Sequence, residues 1–198
     1  MNEEVVLPPG YKVGKNAIGD VYKEGDYYYT KYISTIRKQG DKIKVIALTK
    51  VYTPSIGDNV IGIVYGLNPI GLEVNIEAPY KAIIPYKIVG DPLKFYNKIV
   101  FATISSISKV GIITLSNPKI VNGLLLKINP AKVARVIGKN GSMIKTIKEK
   151  FGVNIIVGKN GLIIIKGETK DVEMAAKVIK EIERRAHRKG LTDWVKNL

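Results

Sequence analysis

The chain has 198 residues, 45% of them hydrophobic, with no cysteine, one histidine and a formal net charge of +15. The missing cysteines exclude disulfides, thiolate nucleophiles and cysteine-ligated zinc or iron–sulfur sites. The single histidine, His187 in ERRAHRKG, falls at the end of a charged helix rather than in a cleft, which does not suit a hydrolytic relay.

This length can bury one large core or two to three small ones. The first residues include the acidic pair Glu3 and Glu4 in place of a basic, then apolar, leader. The longest apolar runs, GLIII at 161–165 and GLLL at 123–126, are strand-length and well below the ~20 residues of a membrane helix. A cytoplasmic protein with no membrane association is expected.

Residues 1–55 read as short strands broken by Pro-Gly and Gly-Asp turns, with KIKVIALTKVY alternating as a half-buried strand does. A small N-terminal β domain is expected there. Over 56–122 come five strand-like runs, VIGIVYG, GLEVNIE, YKAIIPY, KIVFATISSI and GIITLS, separated by turn residues. That count and spacing fit a small closed barrel of the OB type or part of a β-sandwich. Gly62, Gly66 and Gly71 mark positions for bends or bulges.

The period changes in 123–198. LLLKI at 124–128 is a strand, and Pro130 suits the first turn of a helix running through AKVARVI. A second helix starts at Ser142, with Met143, Ile144, Ile147 and Phe151 on one face, and stops at Gly152. VNIIV and GLIIIKG are strands. From Asp171 to about Lys189, Val172, Ala175, Ala176, Ile179, Ile182 and Ala186 recur at helical spacing. The order is β-α-α-β-β-α, and the fold class is multidomain, mainly β plus α+β.

Charge is concentrated at this end. Residues 123–198 hold seventeen Lys/Arg against seven Asp/Glu, whereas residues 1–56 hold nine against six and residues 57–122 six against four. Such a surplus attracts polyanions through counterion release, which makes nucleic acid the leading partner; a lysine-rich solvated surface is the competing explanation.

The tetrapeptide GKNG occurs twice, at 138–141 and 158–161. The second copy joins two apolar strands and reads as a hairpin turn, although Lys159 can reach a phosphate if the turn borders a groove. The first joins two helices. Its glycines leave the backbone open to an approaching ligand, and the following helix offers unpaired N–H groups suited to phosphate; for an isolated GxxG, a glycine C-cap followed by a helix start is the more frequent meaning of the letters.

VIGKNGSMI between two short helices of a βααββα unit resembles a KH domain with the C-terminal helix extension. The resemblance implies that Gly138, Lys139, Asn140 and Gly141 clamp the backbone of single-stranded nucleic acid, while Ile137 and Ile144 support an apolar groove under the bases. Arg135, Lys145 and Lys148 add positive charge nearby. The segment GDNVIGIVYGLNPIGLEVNI, with YKAIIP and ITLSN, resembles the S-one type of RNA-binding OB fold. It departs from that family in carrying Ile70, Leu72 and Glu73 where aromatic residues are often displayed. Tyr80, Lys81, Tyr86 and Lys87 are the remaining candidates for base and backbone contacts on that module.

The whole order, with YTPSIGDNVIGIV, NIEAPYKAIIP and INPAKVARVIGKNGSMIKTIK, is similar to the KH-containing cap subunit of the archaeal RNA exosome. That resemblance implies a non-catalytic subunit without cofactor or metal. Three copies would sit on a hexameric phosphorolytic RNase ring, dock through the N-terminal domain, capture single-stranded RNA and pass its 3′ end inward, alongside a zinc-ribbon cap subunit and other RNA-decay factors. A transcription or translation factor of similar module order, and a structural assembly protein without an RNA role, are the alternatives. The segment GLTDWVKNL is expected to pack Trp194 back on the KH domain.

Overall fold

A computed structural model describes residues 5–186 and 191–196. The chain divides into two compact units, residues 1–51 and 52–198.

The first unit is all β. Strands β1 (Val6–Leu7), β2 (Lys12–Gly14), β3 (Ala17–Gly19), β4 (Val21–Glu24), β5 (Tyr27–Thr30), β6 (Ser34–Gln39) and β7 (Lys42–Ala47) form two sheets, ordered β1-β6-β7-β3 and β2-β5-β4. Leu7, Ala17, Val45 and Ala47 are its buried apolar residues. Thr30 is buried too, and its hydroxyl both donates to the Pro8 carbonyl (2.6 Å) and accepts from the Tyr11 N–H (3.0 Å). A buried hydroxyl satisfied in both roles costs little.

The second unit begins with a barrel of β8 (Asn59–Asn68), β9 (Gly71–Asn75), β10 (Ala82–Pro85), β11 (Ile99–Ile107) and β12 (Ile113–Ile120), closed in the order β10-β12-β11-β8-β9. Only β10 and β12 run parallel. This is the OB arrangement expected for the five runs, and it leaves no long open edge. Val60, Val64, Leu72, Val74, Ile84, Val100, Ala102, Ile104, Ile113 and Leu115 fill it. Tyr52 joins that core, its hydroxyl donating to Asp58 at 2.8 Å. Of the three glycines expected at bends or bulges, Gly66 borders a bulge in β8 between Val64 and Gly66, whereas Gly62 and Gly71 allow close packing instead: a Cβ would stand 2.5 Å from Val74 Cγ1 at the first and 2.3 Å from the Ile84 carbonyl oxygen at the second.

The remainder is a KH fold. It comprises β13 (Leu124–Lys127), α1 (Val133–Ile137), α2 (Ser142–Phe151), β14 (Asn154–Val157), β15 (Leu162–Lys166), α3 (Thr169–Arg184) and α4 (Leu191–Lys196), with sheet order β13-β15-β14, all antiparallel. Pro130 opens a 3-10 turn ahead of α1, capped by the Asn129 side chain, which accepts from the Ala131 N–H at 3.0 Å. Gly152 ends α2 at φ +62°. The α3 helix ends at Arg184, so Ala186, the last residue of the apolar periodicity, lies beyond it; the rest of the helix expected to about Lys189 falls outside the described residues. His187 lies outside the described residues.

Within this unit, β15 is apolar on both faces because both are covered. Ile163 and Ile165 enter the KH core beneath the helices, while Leu162 and Ile164 meet Ile61 of the barrel. Strands buried on both sides read as continuous apolar runs rather than alternations, which is why LIII has no polar partner positions. Half-buried Ile99, Phe101, Val121, Leu125 and Ile156 surround this contact. Three fully buried branched side chains there are worth roughly 1.5–3 kcal/mol each.

Candidate nucleic-acid interface

The first GKNG has the backbone of a close-approach loop. Gly138 (φ +78°) and Gly141 (φ +76°) flank Lys139 and Asn140, and Asn140 itself sits at φ +52°. A Cβ at Gly138 would lie 2.7 Å from both N and Cβ of Met143, so the loop folds tightly onto the start of α2 and any larger residue must displace it. Met143 is in turn buried in the KH core. Rigid packing thus sets the loop, while the Lys139 and Asn140 side chains stay exposed.

The neighbouring candidates fall into two groups. Ile137 and Ile144 are half-buried and pack against the KH core, so they can floor a groove but add no charge. Arg135 and Lys145 are exposed and Lys148 is half-buried. Lys145 shares its charge with Glu149 at 3.7 Å, both side chains being well exposed. A pair of that kind is worth little and yields readily to a phosphate.

The barrel candidates divide as well. Tyr80 (43% exposed) and Lys81 line an open cleft of about 500 Å³ together with Ile63 and Tyr65. Tyr86 instead packs on the barrel core, and Lys87 is exposed on the 3-10 turn Tyr86–Ile88. Tyr65, which the sequence reading did not single out, is 49% exposed at the β8 bulge. Desolvation, then the charge and hydrogen bond of Glu73, hold its phenol above the ordinary tyrosine value. Glu73 also accepts from Asn68 Nδ2 at 3.2 Å. The residue that interrupts the usual aromatic display therefore lies within electrostatic reach of another aromatic ring. An aromatic residue beside a bulge-forming glycine in VIGIVYG was the available signal.

The second GKNG is a turn, with Gly161 N–H donating to the Gly158 carbonyl at 3.1 Å and Gly158 N–H to the Leu162 carbonyl at 2.8 Å. Gly161 carries the positive φ (+87°) and Asn160 does not, which matches a type I turn closed by a left-handed glycine instead of a mirror-image turn. This leaves the Asn160 side chain directed into the barrel. Its Oδ1 accepts from Ile61 N–H at 3.2 Å, and its Nδ2 donates to the carbonyls of Ile61 (2.7 Å) and Ile76 (2.8 Å). The Lys159 N–H donates to the Asn59 carbonyl at 2.9 Å. Lys159 Nζ lies 2.8 Å from Asp58 Oδ1, so this lysine is engaged with the barrel. Burial pushes the Asp58 carboxyl up, but hydrogen bonds from Lys159 and Tyr52, the Lys159 charge and the Ser55 N–H outweigh it and hold it below the usual carboxylate range.

Trp194 is half-buried against the KH core, with Arg185 stacked at 4.9 Å from its ring and Leu191 and Val195 buried beside it. Among the described residues, no group of three or more acidic, histidine or cysteine side chains is placed to hold a metal, and no helix is long and apolar enough to cross a membrane.

Comparison with known proteins agrees with these features. Residues 124–181 match the KH domain family. The chain is similar to the exosome complex component Rrp4 of Picrophilus torridus, with 33% identity covering 96% of this chain and 90% of that protein. It is similar also to Rrp4 of Pyrococcus furiosus, with 34% identity covering 100% and 83%, and to that of Thermoplasma volcanium, with 35% identity covering 96% and 87%. A crystal structure assigned to the exosome complex RNA-binding proteins superposes with a TM-score of 0.67 at 30% identity, covering 75% of this chain and 94% of that one. With a closed OB barrel, a KH fold and this extent of alignment, the chain belongs to the Rrp4 family of exosome complex components.

Proposed function

We propose that the chain is a non-catalytic RNA-binding cap subunit of an exosome. It captures single-stranded RNA and passes the 3′ end to a phosphorolytic 3′-to-5′ exoribonuclease ring. The observation that carries this reading is the 138–141 loop, a tightly packed backbone with Lys139 and Asn140 exposed, in a chain that aligns almost throughout with exosome components. Gly138, Lys139, Asn140 and Gly141 hold the sugar-phosphate backbone, Ile137 and Ile144 floor the groove, and Arg135, Lys145 and Lys148 supply attraction. The barrel adds Tyr65, Tyr80 and Lys81 as a second contact region, with Lys87 nearby in sequence.

In this reading residues 1–55 dock on the ring, residues 56–122 and 123–198 handle RNA, three copies cap one hexameric ring in the cytoplasm, and a zinc-ribbon cap subunit is a further partner. The relatives favour neither a transcription or translation factor nor an assembly protein without RNA. Purification of the chain from its native cells with its stable partners tests the reading: an RNase ring whose decay activity requires phosphate is expected. RNA polymerase or ribosomes in its place would refute it.

A further inference from the structure

The three-stranded sheet of the N-terminal unit concentrates tyrosine and lysine on one face. Tyr27 and Tyr29 share a face of β5 by strand alternation, Tyr22 of β4 lies opposite Tyr29, and Lys12 of β2 lies opposite Tyr29 on the other side. The Tyr22 and Tyr29 rings stack with centroids 5.5 Å apart and planes 22° from parallel. Lys12 Nζ is 3.4 Å from the Tyr27 ring centroid, and Lys15 Nζ is 5.4 Å from it. Tyr22 is exposed, Tyr27 and Tyr29 are half-buried, and both lysines are exposed.

Two acidic groups lie close by: Glu24 opposite Tyr27, and Asp26, which pairs with Lys15 at 3.7 Å. Surface cation–π contacts and exposed ion pairs are individually weak, so Lys12 and Lys15 can transfer to phosphates at small cost. A tyrosine stack with one exposed and one half-buried ring, next to exposed lysines, has the elements of a platform for single strands, on which any base can stack while the lysines follow the backbone. The four-stranded sheet of the same unit differs in chemistry. Its exposed side chains around β1 and β6 include Val5, Val6, Ile33 and Ile36, apolar surface of the kind that meets protein.

We propose that the Tyr22–Tyr29 face is a binding site for single-stranded RNA, with bases stacking on Tyr22 and Tyr29 and phosphates held by Lys12 and Lys15. It uses none of the residues of the KH loop or the barrel cleft, and it stands or falls independently of them.

The test uses the full chain, both unaltered and as Lys139→Asp/Asn140→Asp, cross-linked by ultraviolet light to an oligouridylate carrying 4-thiouridine. Cross-links are expected in the tryptic peptides 16–23 and 24–31 of both proteins. In the loop variant, adding Tyr22→Leu or Lys12→Glu/Lys15→Glu is expected to lower the remaining affinity about fivefold or more, while Tyr22→Phe preserves it. Absence of cross-links from both peptides overturns the proposal. So does unchanged RNA affinity in Lys12→Glu/Lys15→Glu accompanied by loss of a co-purifying protein, which would make the face a protein-docking surface.

Discussion

Asn160 stands beside Ile61 as a neighbouring strand would, its side-chain amide accepting from the Ile61 N–H and donating to the Ile61 carbonyl. The reason lies in the barrel. β8 pairs with β11 over Asn59 to Ile63 but with β9 only from Ile63 onward, so one edge of its first residues is open. The KH turn closes that edge with the Lys159 N–H and the Asn160 amide. Asn160→Ala would orphan three buried backbone groups. A loss of about 3 kcal/mol or more is expected, measured as reduced denaturant resistance, with amide exchange at Ile61 accelerated.

The ion pair beside it gives a pH signature. The folded Asp58 carboxyl is held below the ordinary range, so the carboxylate adds stability above the unfolded value of about 3.9 and loses it as pH falls toward the folded value. Asp58→Asn is expected to cost about 1 kcal/mol at pH 7, since Lys159 is largely exposed. The difference from the unaltered chain should shrink below about pH 4. Thermal unfolding of both proteins from pH 3 to 7 checks this, and a gap that widens in acid would contradict it.

On the barrel, Tyr65 and Tyr80 share the open cleft while Tyr86 packs inward. Tyr65→Ala or Tyr80→Ala should weaken oligoadenylate binding by about 1–3 kcal/mol with little change in Tm. Tyr86→Ala should lower Tm first. Fluorescence anisotropy at fixed salt, paired with calorimetry, separates the two behaviours.

Much of this architecture is legible in local pattern. Strand-length runs punctuated by Asn-Pro and Gly-Asp anticipate the five barrel strands, and the shift to helical spacing after Gly123 anticipates the KH order. What local pattern did not disclose depends on contacts far apart in the chain. Asn160 and Ile61 are 99 positions apart, and a hairpin reading of NG accounts for the turn while giving no reason for its asparagine to be buried. The unbroken LIII of β15 was the trace of a second covered face. Tyr65 is not marked by the OB resemblance, whose departures lie around Glu73, because the exposed ring comes from the strand paired with that segment. The two GKNG copies differ for the same reason: one leaves its Lys and Asn in solvent, the other commits both to the barrel.

The salt dependence of single-stranded RNA binding tests the central claim most directly. Titrations of the full chain across about 50–300 mM salt are compared with Lys139→Asp/Asn140→Asp. The loop variant should bind unrelated single strands more weakly, with a slope of log K against log salt shallower by about 0.7 or more, since each lost cationic phosphate contact removes ~0.7 from it. An affinity and slope equal to those of the unaltered chain would contradict the assignment of residues 138–141 as the phosphate clamp.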